Sequence, residues 1–423
     1  MIVTHGKTDH PRRLGQRPGI ALTVLFLLAL PVLVVVLLLA VNTAFLAEAR
    51  VTLQNNADAD ALAAAQCLVD DAWLTGIPSE QLRLVGVARS EAQLYASKNK
   101  VLGQPLSLEL PPTPGDNPPD GDVVFAFLDQ PGSRTLAVAD LGGTYNGSPF
   151  LPFINTVRVH ARRLKARGTA IGLWGGNFSG FGSADLVTRA TATLDRDVVG
   201  FKPMGDQNVP LVPIALLTRS ALPGKGLPTS WENELQLGHD NWMIGSGASF
   251  SSGSDGMGEA TMVFSVDARQ ASAALLLIGI ADLSSPSQQN LFTGQVAFGL
   301  SAGNLQGLGG TFALAGIDNR LTVPAVTGDM SFFAALASQL NQIQGQKRVW
   351  PLFETLDSSN GRAVITGFVA ARVVLASATA SGMNLVLQPC LLSTRTALTN
   401  AAQRGVGGVS ITNPYICRLR LVE

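Results

Sequence analysis

The chain is poor in the residues on which most catalysis and metal binding depend. Its 423 residues include only 4 His and 3 Cys, and charged residues make up 14% of it, against roughly 25% in ordinary soluble domains. Lys plus Arg and Asp plus Glu number 30 each, so the chain lacks the basic excess that is typical of nucleic-acid binding. Hydrophobic residues reach 46%, which excludes intrinsic disorder. The composition favours a structural or interaction protein and predicts neither an enzyme nor a cofactor.

One short motif has the form of a catalytic one. The stretch from Gly299 through Ser301 to Gly303 fits the Gly-x-Ser-x-Gly pattern of hydrolase nucleophile elbows. That mechanism requires a His general base later in the chain, but the last His is His239. We therefore interpret the motif as a turn and predict no catalytic residue and no metal site, with an anchored hydrolase as an alternative.

The longest apolar run lies near the start and carries no charge. From Ile20 to Val41 it holds 22 residues, which as a helix span about 33 Å and can cross a hydrocarbon core of roughly 30 Å. A secretory signal peptide is the rival interpretation, but its apolar region is about 7–15 residues long. We predict a retained transmembrane helix over residues 18–44, kinked at its internal proline. Its marker residues are Ile20, Leu27, Pro31, Val36 and Val41.

The charges beside this span predict its orientation. Residues 1–17 carry four basic side chains and one acid, while the residues just after the span are mainly acidic. The positive-inside rule then places the tail 1–17 in the cytoplasm and the rest of the chain outside, in the periplasm or at the cell surface. No later stretch is long enough to cross again. We expect a single-pass protein with the lipid bilayer as one partner.

The helical pattern continues beyond the span. Over residues 45–76 large apolar side chains recur at helical spacing, with alanines between them, up to the helix breakers Gly76 and Pro78. This segment could be a plain stalk, or a packing helix that a partner approaches closely at its alanines. The sequence leaves both interpretations open.

Residues Ala49–Ala65, with the sequence ARVTLQNNADADALAAA, resemble a known family. With the basic residue and the Pro-containing apolar span before them, residues 18–65 are similar to the N-terminal segment of TadG-like proteins of the tight-adherence (Flp) pilus assembly system. The resemblance implies a structural or assembly component that meets pilus or secretion-system proteins through this helix. Asn56 and Asp60 stand where the family usually has alanine. The matching residues include Arg50, Leu53, Gln54, Asn55, Ala57, Asp58, Ala61 and Leu62.

Two later segments, Asn155–Leu164 and Gln344–Cys390, are also similar to TadG-like proteins. Some of these proteins hold a metal in an Asp-x-Ser-x-Ser motif. Here Pro286 replaces the second serine after Asp282, so the resemblance implies no metal site.

The remainder of the chain is predicted to be mainly β-structure. Short apolar strands between Gly- and Pro-rich turns favour sandwich-like β domains, and hence a membrane-anchored α+β protein. We divide it into residues 77–200, with a Pro-rich linker or loop at 105–122, and residues 201–423. Only Met330–Gly345 has a helical pattern, and Ala273–Ala281 is predicted to be a buried strand.

Other features could mark interaction sites. The Gly-rich segment Gly168–Gly182 would display Trp174, Phe178 and Phe181 as a partner or lipid contact. The basic segment Val157–Arg167 could bind anionic surface polymers or simply form an edge strand. An envelope adhesin is therefore an alternative to the pilus-assembly role.

The three cysteines are few enough to consider singly. Cys67 lies on the helix beyond the span, while Cys390 and Cys417 are both near the C-terminus. The last two could pair as a disulfide in an oxidising compartment.

Overall fold

A computed structural model of the chain describes residues 18–128, 136–142, 154–176, 182–219, 229–245, 247–267, 270–316, 318–328, 330–357, 360–400 and 413–422. The chain forms two compact units. Unit 1 comprises residues 1–53 and 162–188, and unit 2 comprises residues 54–161 and 189–423.

The described part of the chain is α+β, with one long N-terminal helix and a β-rich remainder, which confirms the predicted class. The helices are α1 (Pro18–Cys67), α2 (Pro78–Lys98), α3 (Trp231–Leu237), α4 (Pro286–Phe298) and α5 (Met330–Gln342). The strands are β1 (Lys100–Val101), β2 (Gln104–Pro105), β3 (Val123–Phe127), β4 (Ala137–Val138), β5 (Thr156–Arg163), β6 (Ile171–Gly172), β7 (Ser183–Ala184), β8 (Leu186–Asp195), β9 (Val198–Phe201), β10 (Ile214–Leu217), β11 (Trp242–Ile244), β12 (Phe250–Ser252), β13 (Ala260–Ser265), β14 (Ala273–Leu276), β15 (Phe312–Ala313), β16 (Leu321–Val326), β17 (Lys347–Asp357), β18 (Arg362–Thr379), β19 (Gly382–Pro389), β20 (Leu392–Ser393), β21 (Ala397–Thr399) and β22 (Ile416–Val422).

Helix α1 contains the whole apolar run, including Pro31. From Thr23 onward it is long and apolar enough to cross a membrane. Leu27, Val36 and Val41 are exposed there, Leu27 by 71%. The helix ends at Cys67, before the breaker at Gly76, because Asp70 starts a separate 3-10 turn, where the Ala72 N–H donates to Asp70 Oδ1 at 3.0 Å.

A six-stranded sheet runs in the order β20-β22-β8-β5-β3-β4. The basic segment Val157–Arg167 forms most of β5 and a 3-10 turn at Lys165–Arg167. Strand β5 lies between β8 and β3, so the edge-strand interpretation of this segment is wrong. Val157, Val159 and Ala161 are buried, and their alternation with basic residues gives the strand one apolar face.

A seven-stranded sheet forms the core of unit 2, in the order β13-β19-β18-β16-β14-β10-β17. Strand β17 also pairs with β18, so β18, β16, β14, β10 and β17 close into a ring. Strands β10 and β14 of this ring are buried along their whole length, and strands buried on both faces have continuous apolar sequences. Two hydrophobic cores lie on opposite faces of β14. Leu275 packs in the core that contains Phe292 of α4 and Phe333 of α5. Its neighbour Leu276 packs in the other core. The strand spacing in the sequence suggested a sandwich-like domain, whereas five of these strands close into a ring.

Several elements confirm the sequence pattern and others correct it. The buried strand at Ala273 and the helix at Met330 are present. The short apolar run at residues 295–300 fits the sequence pattern of a strand, but most of it belongs to α4. This helix starts with Ser285 as its N-cap, whose Oγ accepts from the Gln288 N–H at 3.4 Å, followed by Pro286. Helix α2, in the region expected to be β-rich, was missed.

The Pro-rich segment 105–122 is a loop ordered against α2. Arg89 is 3% exposed and its guanidinium donates to the carbonyls of Thr113 at 3.3 Å, Pro114 at 2.9 Å and Asp116. The same guanidinium lies 5.3 Å from the centre of the Phe125 ring, a cation–π geometry. One buried cation therefore fixes a segment that has few main-chain donors of its own.

Replacing Arg89 should destabilise unit 2 through this loop. Arg89→Ala removes the hydrogen bonds of a buried cation to three carbonyls of the loop, and we expect a loss of about 2–3 kcal/mol in the free energy of unfolding. The matched control is Arg83→Ala on the same helix. Arg83 and Glu80 form an exposed pair at 2.7 Å, and exposed pairs contribute about 0–1 kcal/mol. Urea unfolding of the full chain in detergent measures both, and equal losses for the two variants would contradict the role of Arg89.

Candidate functional site

A cleft of about 980 Å³ lies within unit 2. Helices α1 and α2 form one side, and strands β20 and β22 with the turn after β20 form the other. Its volume is within the range of about 300–1,000 Å³ that is usual for ligand sites. The lining residues are Ala59, Leu62, Ala63, Gln66, Cys67, Glu91, Tyr95, Gln207, Ser393, Thr394, Arg395, Leu419, Arg420 and Leu421.

The alanines of α1 divide between this cleft and the protein interior. Ala59 and Ala63 line the cleft together with Leu62. Ala57, Ala61, Ala64 and Ala65 are 0% exposed, so the chain's own fold already covers them. The interpretation of these four alanines as an open face for a partner helix is therefore wrong.

The other residues of the family-like segment occupy different environments. Arg50 and Asn55 are exposed, and Leu53 is buried. The Gln54 amide donates to Asp58 Oδ1 at 2.8 Å and to the Arg189 carbonyl at 3.1 Å. Three residues of this segment line the cleft, namely Leu62 and the flanking Ala59 and Ala63.

The second wall of the cleft is an open strand edge. The carbonyls of Tyr415 and Cys417 accept from the Leu392 N–H at 2.9 Å and the Thr394 N–H at 3.1 Å, which pairs the start of β22 with β20. Beyond Cys417, β22 pairs with β8 on its opposite side. Because backbone groups alternate in direction along a strand, those of Leu419 and Leu421 point to the β20 side. Among the described residues no strand pairs with them there.

Two arginines and one glutamate line the cleft. Arg395 is exposed and has no ion-pair partner in the described part of the chain. Arg420 is held by Asp195, with Nη2 to Oδ2 at 3.2 Å. Glu91 is the acidic residue of the lining, so a guest with an acidic side chain suits the end near Arg395.

A buried ion cluster fixes the base of the cleft wall. Asp71 Oδ1 accepts from Lys347 Nζ at 3.2 Å and from the Leu391 N–H at 2.6 Å, and its Oδ2 accepts from Arg372 Nη2. Lys347 Nζ also donates to the Leu391 carbonyl at 2.8 Å. These bonds join the turn after α1 to β17, β18 and the residue before β20. No sequence pattern signals the cluster, because the partners of Asp71 lie 276–320 positions after it in the chain.

The three cysteines are all free thiols. Burial raises the pKa of Cys390 to about 12 and that of Cys417 to about 12, so both are unreactive at neutral pH. The Cys417 thiol donates to the Leu392 carbonyl at 3.7 Å. Burial, followed by Glu91 and Asp70, also raises the pKa of Cys67. A Cys390–Cys417 disulfide in an oxidising compartment stays a prediction.

The Gly-x-Ser-x-Gly motif has a structural role. Helix α4 precedes it instead of a strand, and the Ser301 hydroxyl donates to Asn304 Oδ1 at 2.8 Å. Gly299 has φ +80°, and a Cβ there would lie 2.1 Å from the Val209 carbonyl oxygen. The glycine is thus explained by a close backbone approach. In the described ranges no three His, Cys, Asp or Glu side chains are grouped as metal ligands.

Asp60 gives α1 a buried carboxyl group. Its side chain is 0% exposed, and neither carboxyl oxygen has a hydrogen-bond partner among the described residues. Burial raises the pKa of Asp60 from 3.8 to about 7. The folded chain therefore binds more protons than the unfolded chain between these values, and stability falls as the pH rises through this window.

We expect Asp60→Asn to remove this pH dependence. Wild type should lose up to about 4 kcal/mol of unfolding free energy between pH 4 and pH 8 relative to the variant. Asp58→Asn, a half-buried neighbour bonded to Gln54, is the control and should keep the wild-type slope. Urea titrations of the full chain in detergent at several pH values measure the slopes, and identical slopes for wild type and Asp60→Asn would refute the assignment.

Comparison of the chain with models of protein families, with curated proteins and with solved structures found no match. The resemblance to TadG-like proteins therefore rests on the sequence of residues 18–65 and of the two later segments.

Proposed function

We propose that this chain is a membrane-anchored structural protein of the cell envelope that acts by binding other proteins. The N-terminal part of α1 crosses the membrane once, with residues 1–17 in the cytoplasm. The β-rich part lies outside, in the periplasm or at the cell surface. The observation that carries the binding role is the open edge of β22 inside the cleft.

The anchor is supported by the surface of α1. Between Thr23 and Val41 its large side chains are uncharged and, apart from the half-buried Leu38, exposed. Leaving a Leu or Val side chain in water instead of an apolar medium costs about 1.5–3 kcal/mol. A bilayer removes this cost for the whole stretch at once, and the helix satisfies its own backbone groups.

The binding role is supported by the cleft's backbone. Leu419 and Leu421 present donors and acceptors to a space that is also lined by Leu62 and Tyr95. An extended peptide can bond to such an edge while its alternate side chains enter the apolar part of the cleft. Arg395 adds a preference for an acidic side chain. The guest that fits is an acidic, extended segment of a partner protein.

The narrower assignment to tight-adherence pilus assembly comes from the resemblance of residues 49–65. The partner segment would then belong to a pilus or secretion-system protein. The envelope adhesin alternative predicts surface binding that persists in cells without the secretion ATPase. The hydrolase alternative predicts that Ser301→Ala abolishes the turnover of some substrate.

A proline on the outer edge of β22 tests the binding role. Leu421→Pro removes an outward N–H and leaves the bonds of β22 to β8 in place, since proline is tolerated where a strand's N–H faces outward. The probes are labelled nine-residue peptides that alternate valine with threonine, in acidic, neutral and basic versions. We expect the acidic version to bind the full chain best, and Leu421→Pro to weaken it about tenfold.

Leu421→Val is the matched control, because it shortens the side chain but keeps the N–H. It should bind the acidic peptide within about threefold of wild type. A peptide N-methylated along one edge should also bind poorly. Equal affinities for wild type and Leu421→Pro, or no binding of any version at millimolar concentration, would sink the proposal.

A further inference from the structure

In unit 1 a short loop is bonded to α1 at the end of the apolar stretch. Asn42, which follows the last apolar residue, donates from its amide to the Trp174 carbonyl at 3.0 Å. Its Oδ1 accepts from the Trp174 N–H at 2.9 Å. Two bonds to the same residue fix the height of the loop along the helix axis.

The next residue brings the loop alongside the apolar stretch itself. Gly175 has φ +70°, and a Cβ built on it would lie 3.1 Å from Leu38 Cδ1. Leu38 is one helical turn before Asn42, toward the middle of the apolar stretch. The loop backbone therefore lies beside side chains that we place in the membrane.

Trp174 itself is 65% exposed, although its backbone is held on both sides. Trp73, Trp231 and Trp350 are at most 6% exposed, as is usual for so large an apolar side chain. Tryptophan is enriched where the hydrocarbon core meets the headgroups, because the indole has an apolar body and one polar N–H. An exposed indole at the end of a membrane span matches that environment.

We propose that Trp174 lies in the headgroup region of the extracytoplasmic leaflet, and that the loop 172–176 is a second contact of this protein with lipid. The contact would set the depth and rotation of α1 in the bilayer. The occupant of this surface is the bilayer, since the loop is continuous with the apolar part of α1. The inference rests on the proposed membrane anchor.

Depth-dependent fluorescence quenching tests the contact on the full chain. The chain is reconstituted in phosphatidylcholine vesicles whose acyl chains are brominated either near the headgroup or near the bilayer centre. We expect the shallow bromines to quench tryptophan emission clearly more than the deep ones, and Trp174→Phe to remove most of that difference. Trp242→Phe is the control, because Trp242 is half-buried in unit 2, and the difference should persist in it.

The outcomes separate this inference from the anchor proposal. Resistance of the reconstituted chain to alkaline carbonate extraction measures anchoring independently of Trp174. If the chain resists extraction but the emission of Trp174→Phe is quenched like that of wild type, the lipid contact is wrong and the anchor proposal stands. Loss of the difference in Trp242→Phe instead would also overturn the lipid contact. If carbonate extracts the chain from the vesicles, both the lipid contact and the anchor proposal are wrong.

Discussion

The exposed apolar surface of α1 is the constraint on which this account depends. Twenty-two consecutive residues without a charge lie in one continuous helix, and from Val24 to Val41 its large side chains other than Leu38 are exposed. No soluble domain leaves such a surface in water, because its cost rises with every exposed leucine and valine. The same helix later changes character. From Leu53 to Ala65 one of its faces is buried, so the two ends of this helix have different surroundings in the fold.

Long-range polar contacts hold the cleft of unit 2 together. Asp71 ties the turn after α1 to Lys347, Arg372 and Leu391, and Arg89 orders the Pro-rich loop. Arg372 and Arg89, which are both buried, donate to oxygens from other segments of the chain. Because removing one partner leaves a buried charge without compensation, these contacts favour one arrangement of the cleft walls. A preformed edge of this kind can bind an extended guest without first ordering itself.

The sequence predicts well those elements whose pattern is long or whose burial is complete. The apolar run of α1 and the buried strand β14 belong to this class, as does the amphipathic helix α5. Helix α4 was missed because a short apolar run such as residues 295–300 fits either a strand or a helix. The buried alanines of α1 were misread because small residues indicate close packing but do not say with what. The cleft could not be foreseen, since strands β20 and β22 meet α1 and α2 only through tertiary folding.

We propose that α1 anchors the chain with its β-rich part outside the cell membrane. Protease added to intact spheroplasts that express the chain with an epitope tag at each end tests this most directly. The account predicts that the C-terminal tag is lost and that the N-terminal tag stays protected until detergent is added. Protection of the C-terminal tag, or release of the whole chain by carbonate, would contradict it.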